Sequence, residues 1–345
     1  VVVLLGTHEA FVDHDAGPGH AESPERIGAA LEGIAAAGVG DQIARFAPRR
    51  AVRDELSRVH DVGYLDYLEE RCLSGGGSLD PDTGVGEESF EAALRAAGAG
   101  PDAIERLDRG EADAAFLVVR PPGHHALRTR AMGFCLLNNI AITAAALVAR
   151  GERVLIVDWD AHHGNGTQSC FYDESEVLFV SLHQYPYYPG TGALSEVGDG
   201  AGTGATINIP FPAGTTGDAY RMAIDEVIVP AAELFSPTWL LVSCGFDAHR
   251  ADPLTDMALT AGDFADLTMR IAPLAPPGRR IFFLEGGYDL EALGASAGAT
   301  VAALAGVRLS GEPVSSRSSS AADRTGRPAE IVTAAHLLHE RMNAR

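Results

Sequence analysis

The chain of 345 residues is 46% hydrophobic, long enough to bury a sizeable core, and is read as one domain, 1–345, rather than two. With 47 acidic against 26 basic residues the formal net charge is -21, which argues against a general binder of nucleic-acid backbones and suits plain solubility or a cationic partner. Cys72, Cys135, Cys170 and Cys244 form no Cys-x-x-Cys pair, so a reduced compartment, by default the cytoplasm, is expected rather than a disulfide framework or thiolate zinc site.

The start, 1–6, reads as a short apolar strand without the features of a signal peptide, and no apolar run approaches the roughly 20 residues of a membrane span. A Gly-, His- and Asp-rich stretch, 9–24, follows and is expected to form a rim loop or an oligomer contact. Helical spacing predicts helices over 24–37, 89–98, 138–150, 218–234 and 261–272, each with an apolar face for packing, as at Ile140, Ala144, Leu147 and Val148. Between most of them stand continuous apolar, β-branched runs at 115–119, 154–157, 177–182, 207–209, 240–243 and 281–284. Such runs alternating with helices predict an α/β fold with a single open, mostly parallel β-sheet and helices on both faces. A Ser-, Arg- and Pro-rich stretch, 311–329, reads as a mobile connector to a final helix over 331–342, on which His336 and His339 are expected to be exposed rather than ligating.

The chemically rich segments all follow strands. They are Arg120-Pro-Pro-Gly-His-His-Ala126, Asp158-Trp-Asp-Ala-His-His-Gly-Asn165, Gly245-Phe-Asp247 and Glu285-Gly-Gly-Tyr288. Open α/β sheets place their site outside the carboxyl ends of the strands, so these loops are expected to converge on one crevice. Asp160 and His162, two apart on an extended segment, point the same way, and Asp247 adds a second carboxylate. Three protein ligands with positions left for water and substrate describe a catalytic metal site, and nitrogen and oxygen donors suit zinc, iron(II), cobalt or manganese. His124 and His125 are the candidates to carry protons, because imidazole titrates near neutrality.

With these motifs, from Pro24-Glu-Arg26 through RPPGHHA, MGFCLLNN, DWDAHHGNGTQ, SLH, YPGTG and GFDAH to EGGYDL, the chain resembles class II-like members of the histone deacetylase family. That group includes bacterial acetylpolyamine amidohydrolases and shares the arginase/deacetylase fold. The resemblance implies that His125 is general base and then general acid, that His124 gives electrostatic support, and that Asp158 and Asn165 orient the two rings. It implies Tyr288 as donor to the tetrahedral oxyanion, with Gly286 and Gly287 freeing the backbone that turns its phenol inward. Phe134 and Tyr188 match the aromatic pair around the linear part of an acyl-lysine, with the Gly133 carbonyl near the amide. Asp158, Asp160, His162, Ser181 and Leu182 match a structural monovalent-cation site, for which potassium is expected. His163 is left with a structural role.

Two-manganese arginases carry further aspartates where this chain has Gly164 and His249, so one divalent ion, Zn2+ by expectation, is implied per chain. Leu254 stands where a polyamine-selective relative has an acidic gatekeeper, which favours the ε-acetyl group of lysine in a peptide or protein as substrate. Acetylpolyamine or another small N-acyl amine is the alternative, because Asp82, Glu87 and Glu88 are available as acidic contacts. A non-catalytic acyl-lysine binder and a guanidine hydrolase rank below these. No nucleic-acid or membrane partner is expected, and a homo-oligomer stays open.

Overall fold

The computed structural model describes residues 1–309, 311–316 and 327–343. Among these the strands, in chain order, are β1 (Val3–Gly6), β2 (Ile43–Phe46), β3 (Gly77–Asp80), β4 (Thr83–Val85), β5 (Ala114–Leu117), β6 (Val154–Asp158), β7 (Val177–Gln184), β8 (Thr206–Phe211), β9 (Trp239–Cys244) and β10 (Arg280–Leu284). An eight-stranded sheet has the order β2-β1-β5-β10-β9-β6-β7-β8, and every neighbouring pair runs parallel. β3 and β4 form a separate antiparallel hairpin. The expected α/β architecture is thus present, and the chain is similar throughout to an open doubly covered sheet.

Every residue of β5, β6, β7 and β9 is buried. Because successive strand residues face opposite sides, helices must cover both faces of the sheet. Helix Glu25–Ala36 packs closely on helix Leu290–Leu304: a Cβ at Gly33 would lie 1.9 Å from the Gly294 carbonyl oxygen. Helix Ser89–Asp108 runs ten residues past its predicted end, through Gly98, Gly100 and Pro101. A Cβ at Gly100 would meet Thr143 Oγ1 at 1.8 Å, so this glycine permits close packing on helix Asn139–Val148 rather than ending its own helix. The predicted helix over 218–234 is interrupted by a π-helical turn, Ile224–Ile228, just before Pro230, whose missing N–H would leave a gap in a regular helix.

Four adjacent central strands, β5, β10, β9 and β6, deliver all the chemically rich loops. The register sets Asp158 beside both Ser181 of β7 and Ser243 of β9. The N-terminal stretch 9–24 does reach this end of the sheet. Its His20 stands edge-on to Phe134, its His14 bonds Ser89, and its Glu22 is buried against Arg120.

The first part of the predicted connector is tied down: Glu312 pairs with His249, and Ser315 bonds Asp263. Positions 317–326 lie outside the described residues, and the final helix is Arg327–Asn343. On it His336 and His339 are half-buried rather than exposed, and His336 pairs with Glu340 at 3.4 Å. Among the described residues no helix is long and apolar enough to cross a membrane, and the four cysteines are unpaired.

Candidate active site

At the end of β6 the chain turns sharply, and the turn is held by carboxylate side chains. Asp158 Oδ1 accepts the Asp160 N–H at 3.1 Å, and Asp160 Oδ1 accepts the His162 N–H at 2.9 Å. From the β9 loop, Asp247 Oδ1 reaches the Ala161 N–H at 2.7 Å, and the β10 loop gives the Gly286 N–H to Asp160 Oδ2 at 2.8 Å. These bonds aim Asp160, His162 and Asp247 at one point. Ligand atoms from the three lie within 4.8 Å of one another, and all three residues are buried.

His162 Nδ1 points between the carboxylates, 3.2 Å from Asp160 Oδ1 and 2.8 Å from Asp247 Oδ2. Burial opposes charge on this imidazole, but Asp247 and Asp160 outweigh it and carry its pKa to about 10. Burial, with Asp160 beside it, pushes the Asp247 carboxyl up to about 7 against the pull of His162. Two carboxylates and one imidazole in a dry place are costly without a cation between them. A proton on His162 partly fills that need, and a divalent ion fits the donor set.

The histidine pair leaves β5 by a loop that Glu285 holds. Glu285 Oε2 accepts the Gly123 N–H at 2.7 Å and the His124 N–H at 3.2 Å. His124 Nδ1 donates to Asp158 Oδ2 at 3.0 Å, while its Nε2 lies 3.8 Å from Asp160 Oδ1. Burial resists its charge, yet Asp160 and Asp158 raise the pKa to about 10. His125 differs. Its Nδ1 stands 2.7 Å from Asn165 Oδ1, an acceptor, so Nδ1 carries the proton and Nε2 is left with its lone pair. Burial, then the neighbouring His124 and His162, hold its pKa well below the ordinary imidazole value.

Around this floor stand the other predicted residues. Gly133 and Phe134 both have left-handed backbones, with φ of +55° and +67°. A Cβ at Gly133 would meet His125 Cδ2 at 2.4 Å, so only glycine fits there. Phe134 is held in its unfavourable conformation by its N–H to Thr83 Oγ1 at 3.1 Å. Its ring is edge-on to Tyr288 at 5.7 Å, and Tyr188 is edge-on to His125 at 5.3 Å. Leu254 sits in a turn whose carbonyl accepts the Tyr187 hydroxyl at 2.6 Å. Burial pushes the Tyr288 phenol well above its usual value, against the opposing pull of Arg26, whose guanidinium lies 5.0 Å from the ring centre. Ser181 Oγ bonds His183 Nδ1 at 2.9 Å, and Leu182 is buried next to it.

Two departures from the two-metal arrangement have a physical reading. A Cβ at Gly164 would lie 2.1 Å from Asp158 Oδ2, so no carboxylate fits at that place. His249 is committed elsewhere, to Glu312 at 2.9 Å and to the Ala251 N–H at 3.1 Å. His163 is buried between Thr191 Oγ1 at 2.8 Å and Gln168 Oε1 at 2.9 Å, as a structural residue would be.

Sequence reasoning missed the residues that act through others. Glu285 was read only as part of EGGYDL. Arg26, Glu22 and Arg120 form a buried ionic cluster in which Arg26 bonds the carbonyls of Gly287 and Glu285. Asp252 accepts the Tyr288 N–H at 2.7 Å. Arg26, Arg120 and Glu285 stand within the motifs quoted above, but the sequence names no partner for any of them.

A buried Asp-His-Asp donor set at the carboxyl edge of a parallel α/β sheet, flanked by paired histidines, is a candidate metal site that fits the class of metal-dependent hydrolases. The histone deacetylase domain profile matches residues 20–304, which is most of the chain. The chain is 41% identical over 310 residues to a "Probable deacetylase" of Archaeoglobus fulgidus, covering 88% of this chain and 86% of that one. It is 38% identical over 304 residues to the "Histone deacetylase-like amidohydrolase" of Pseudomonas aeruginosa, covering 86% and 80%. The crystal structure of the HDA15 HD domain superposes with a TM-score of 0.88 at 34% identity, over 98% of this chain and 96% of that one. Histone deacetylase 15 of Arabidopsis thaliana is longer, and the match spans 53% of it. The chain belongs to the histone deacetylase family and is a deacetylase or amidohydrolase of that family.

Proposed function

We propose that this protein removes the acetyl group from the ε-amine of lysine side chains, using one divalent ion, zinc by preference, held by Asp160, His162 and Asp247. The observation that carries this reading is the contrast within the histidine pair, a His124 bonded to the Asp158 carboxylate beside a His125 bonded to the neutral amide of Asn165. When bound, the ion supplies a Lewis acid that polarises the amide carbonyl and acidifies water. A single ion is supported by the space at Gly164, which admits no further carboxylate.

His125 takes the proton of the attacking water on Nε2 while Asn165 keeps Nδ1 protonated, and the same Nε2–H then goes to the departing amine. His124 stays charged against Asp158 and stabilises negative charge without transferring its proton. Tyr288 donates its hydroxyl to the oxyanion, and a phenol held well above its usual pKa keeps that proton at neutral pH. Phe134 and Tyr188 flank the aliphatic stem of the substrate, and the Gly133 carbonyl receives the amide N–H. A structural potassium ion beside Asp158, Asp160, His162, Ser181 and Leu182 is part of the same proposal.

A second reading, hydrolysis of acetylpolyamines, has one observation in its favour. The hairpin that holds Phe134 through Thr83 also carries Asp80 and Asp82, acidic groups near enough to Tyr188 to add to the rise in its phenol pKa that burial mainly causes. An acetyl-lysine peptide and N-acetylputrescine assayed in parallel, with zinc restored, test the proposal. The expected result is a higher kcat/KM for the peptide. A higher value for N-acetylputrescine would transfer the assignment to the second reading, and cleavage of neither would overturn both.

A further inference from the structure

Tyr288 follows two positions that only glycine can fill. A Cβ at Gly286 would lie 2.3 Å from Asp247 Oδ2 and 2.6 Å from Asp160 Oδ2, and Gly287 has φ of +118°. Neither position admits a side chain, so two successive residues with the widest conformational freedom precede the phenol. The segment is pinned from outside instead. Arg26 holds the Gly287 carbonyl at 2.7 Å, and Asp289 caps the following helix through the Ala292 N–H at 2.8 Å. Between these anchors, the N–H of Tyr288 itself goes to Asp252 Oδ2 at 2.7 Å.

The other oxygen of the same carboxylate, Oδ1, accepts the Leu254 N–H at 2.9 Å, and the Leu254 carbonyl accepts the Tyr187 hydroxyl at 2.6 Å. The Tyr187 ring in turn lies tilted over His162 at 5.7 Å. One buried carboxylate therefore joins the turn that presents Leu254 at the rim to the residue that bears the phenol. We infer that Asp252 is a positioning residue for Tyr288, and that through it the Leu254 turn sets where the oxyanion donor stands. The inference rests on the reading of Tyr288 as that donor.

The test is a double-mutant cycle on the zinc-loaded protein with an acetyl-lysine peptide. Asp252→Ala is expected to lower kcat by about 10- to 100-fold with KM changed less than about twofold, the size of effect a small misplacement of a reacting group produces. In a Tyr288→Phe background the same substitution is expected to add less than about twofold, because residues acting as a unit are not additive. If the Asp252→Ala loss is undiminished in that background, Asp252 acts on the metal or the loop and the inference is overturned. No loss in the single variant also overturns it. Should Asp252→Ala fail to fold, Asp252→Asn takes its place in the cycle, since its amide oxygen accepts only one of the two N–H groups. Tyr288→Phe with unchanged turnover would instead sink the reading of Tyr288, which separates the two failures.

Discussion

The floor and the rim of this site are built differently. On the floor, Asp158, Asp160, His162 and Asp247 are buried at the ends of central strands, and they are oriented by backbone N–H groups nearby or on a neighbouring strand's loop and by bonds among the side chains of the site itself. At the rim, Phe134, Tyr188 and Leu254 are partly exposed, and loop-to-loop contacts hold Phe134 and the Leu254 turn. A sheet fixes strand ends to within fractions of an ångström, because moving one breaks its neighbours. A loop residue on a rim moves at the cost of one or two bonds. On the proposed reading, the chemistry is assigned to the floor and the choice of substrate to the rim.

The harshest way to break this contrast is at the floor. Asp247→Ala removes a ligand and leaves Asp160 buried with His162 alone. Metal content measured after dialysis against zinc is expected to fall well below one ion per chain, with turnover reduced on the order of 10³-fold or more. Retained zinc at full stoichiometry would mean the ion lies elsewhere. Next in size is His125→Ala, expected to reduce kcat by about 10²- to 10⁴-fold at unchanged zinc content, the range of general acid–base catalysis. An equal or larger loss in His124→Ala, with a normal His125→Ala enzyme, would reverse the roles of the two rings.

A subtler change stays on the floor but moves only a charge. Asn165→Asp places a carboxylate opposite His125 Nδ1, which favours the charged imidazole and raises a pKa that now lies well below the ordinary value. Since the base must be neutral, activity is lost as pH falls through that pKa. The acid limb of kcat/KM is expected to move upward by about one pH unit. A profile that does not move would show that another group sets the limb.

The same contrast explains what the sequence revealed. The candidate donors Asp160, His162 and Asp247 and the paired histidines were legible because they follow apolar runs, and the strands were legible because burial on both faces leaves β-branched runs. β2 and the β3–β4 hairpin escaped notice: Ile43–Phe46 alternates only weakly, and Gly77–Val85 is rich in Gly and Asp. Helix Leu290–Leu304, made largely of Ala and Gly, has no clear apolar stripe, since it is buried nearly all round. Glu285, Asp252 and Arg120 act on partners that lie far away in the chain, and so does Arg26 through the Gly287 carbonyl, which no local pattern encodes.

The smallest expected effect belongs to the rim. Leu254 is partly exposed, and its backbone, not its side chain, makes the contacts to Asp252 and Tyr187. Leu254→Glu should therefore leave those bonds intact and spare the chemistry, changing kcat on an acetyl-lysine peptide by no more than about threefold. Its carboxylate adds an attraction for the free ammonium of an acetylated polyamine, but solvent screens a charge at such a site, and an exposed pair is worth roughly 1 kcal/mol at most. That corresponds to about a fivefold gain in kcat/KM for N-acetylputrescine, larger at low salt than at high salt. A gain that is salt-independent would point to contacts other than the new charge. A collapse of activity on both substrates would mean that the Leu254 side chain, and not only its backbone, supports Tyr288, and the division between floor and rim would then have to be drawn nearer the surface.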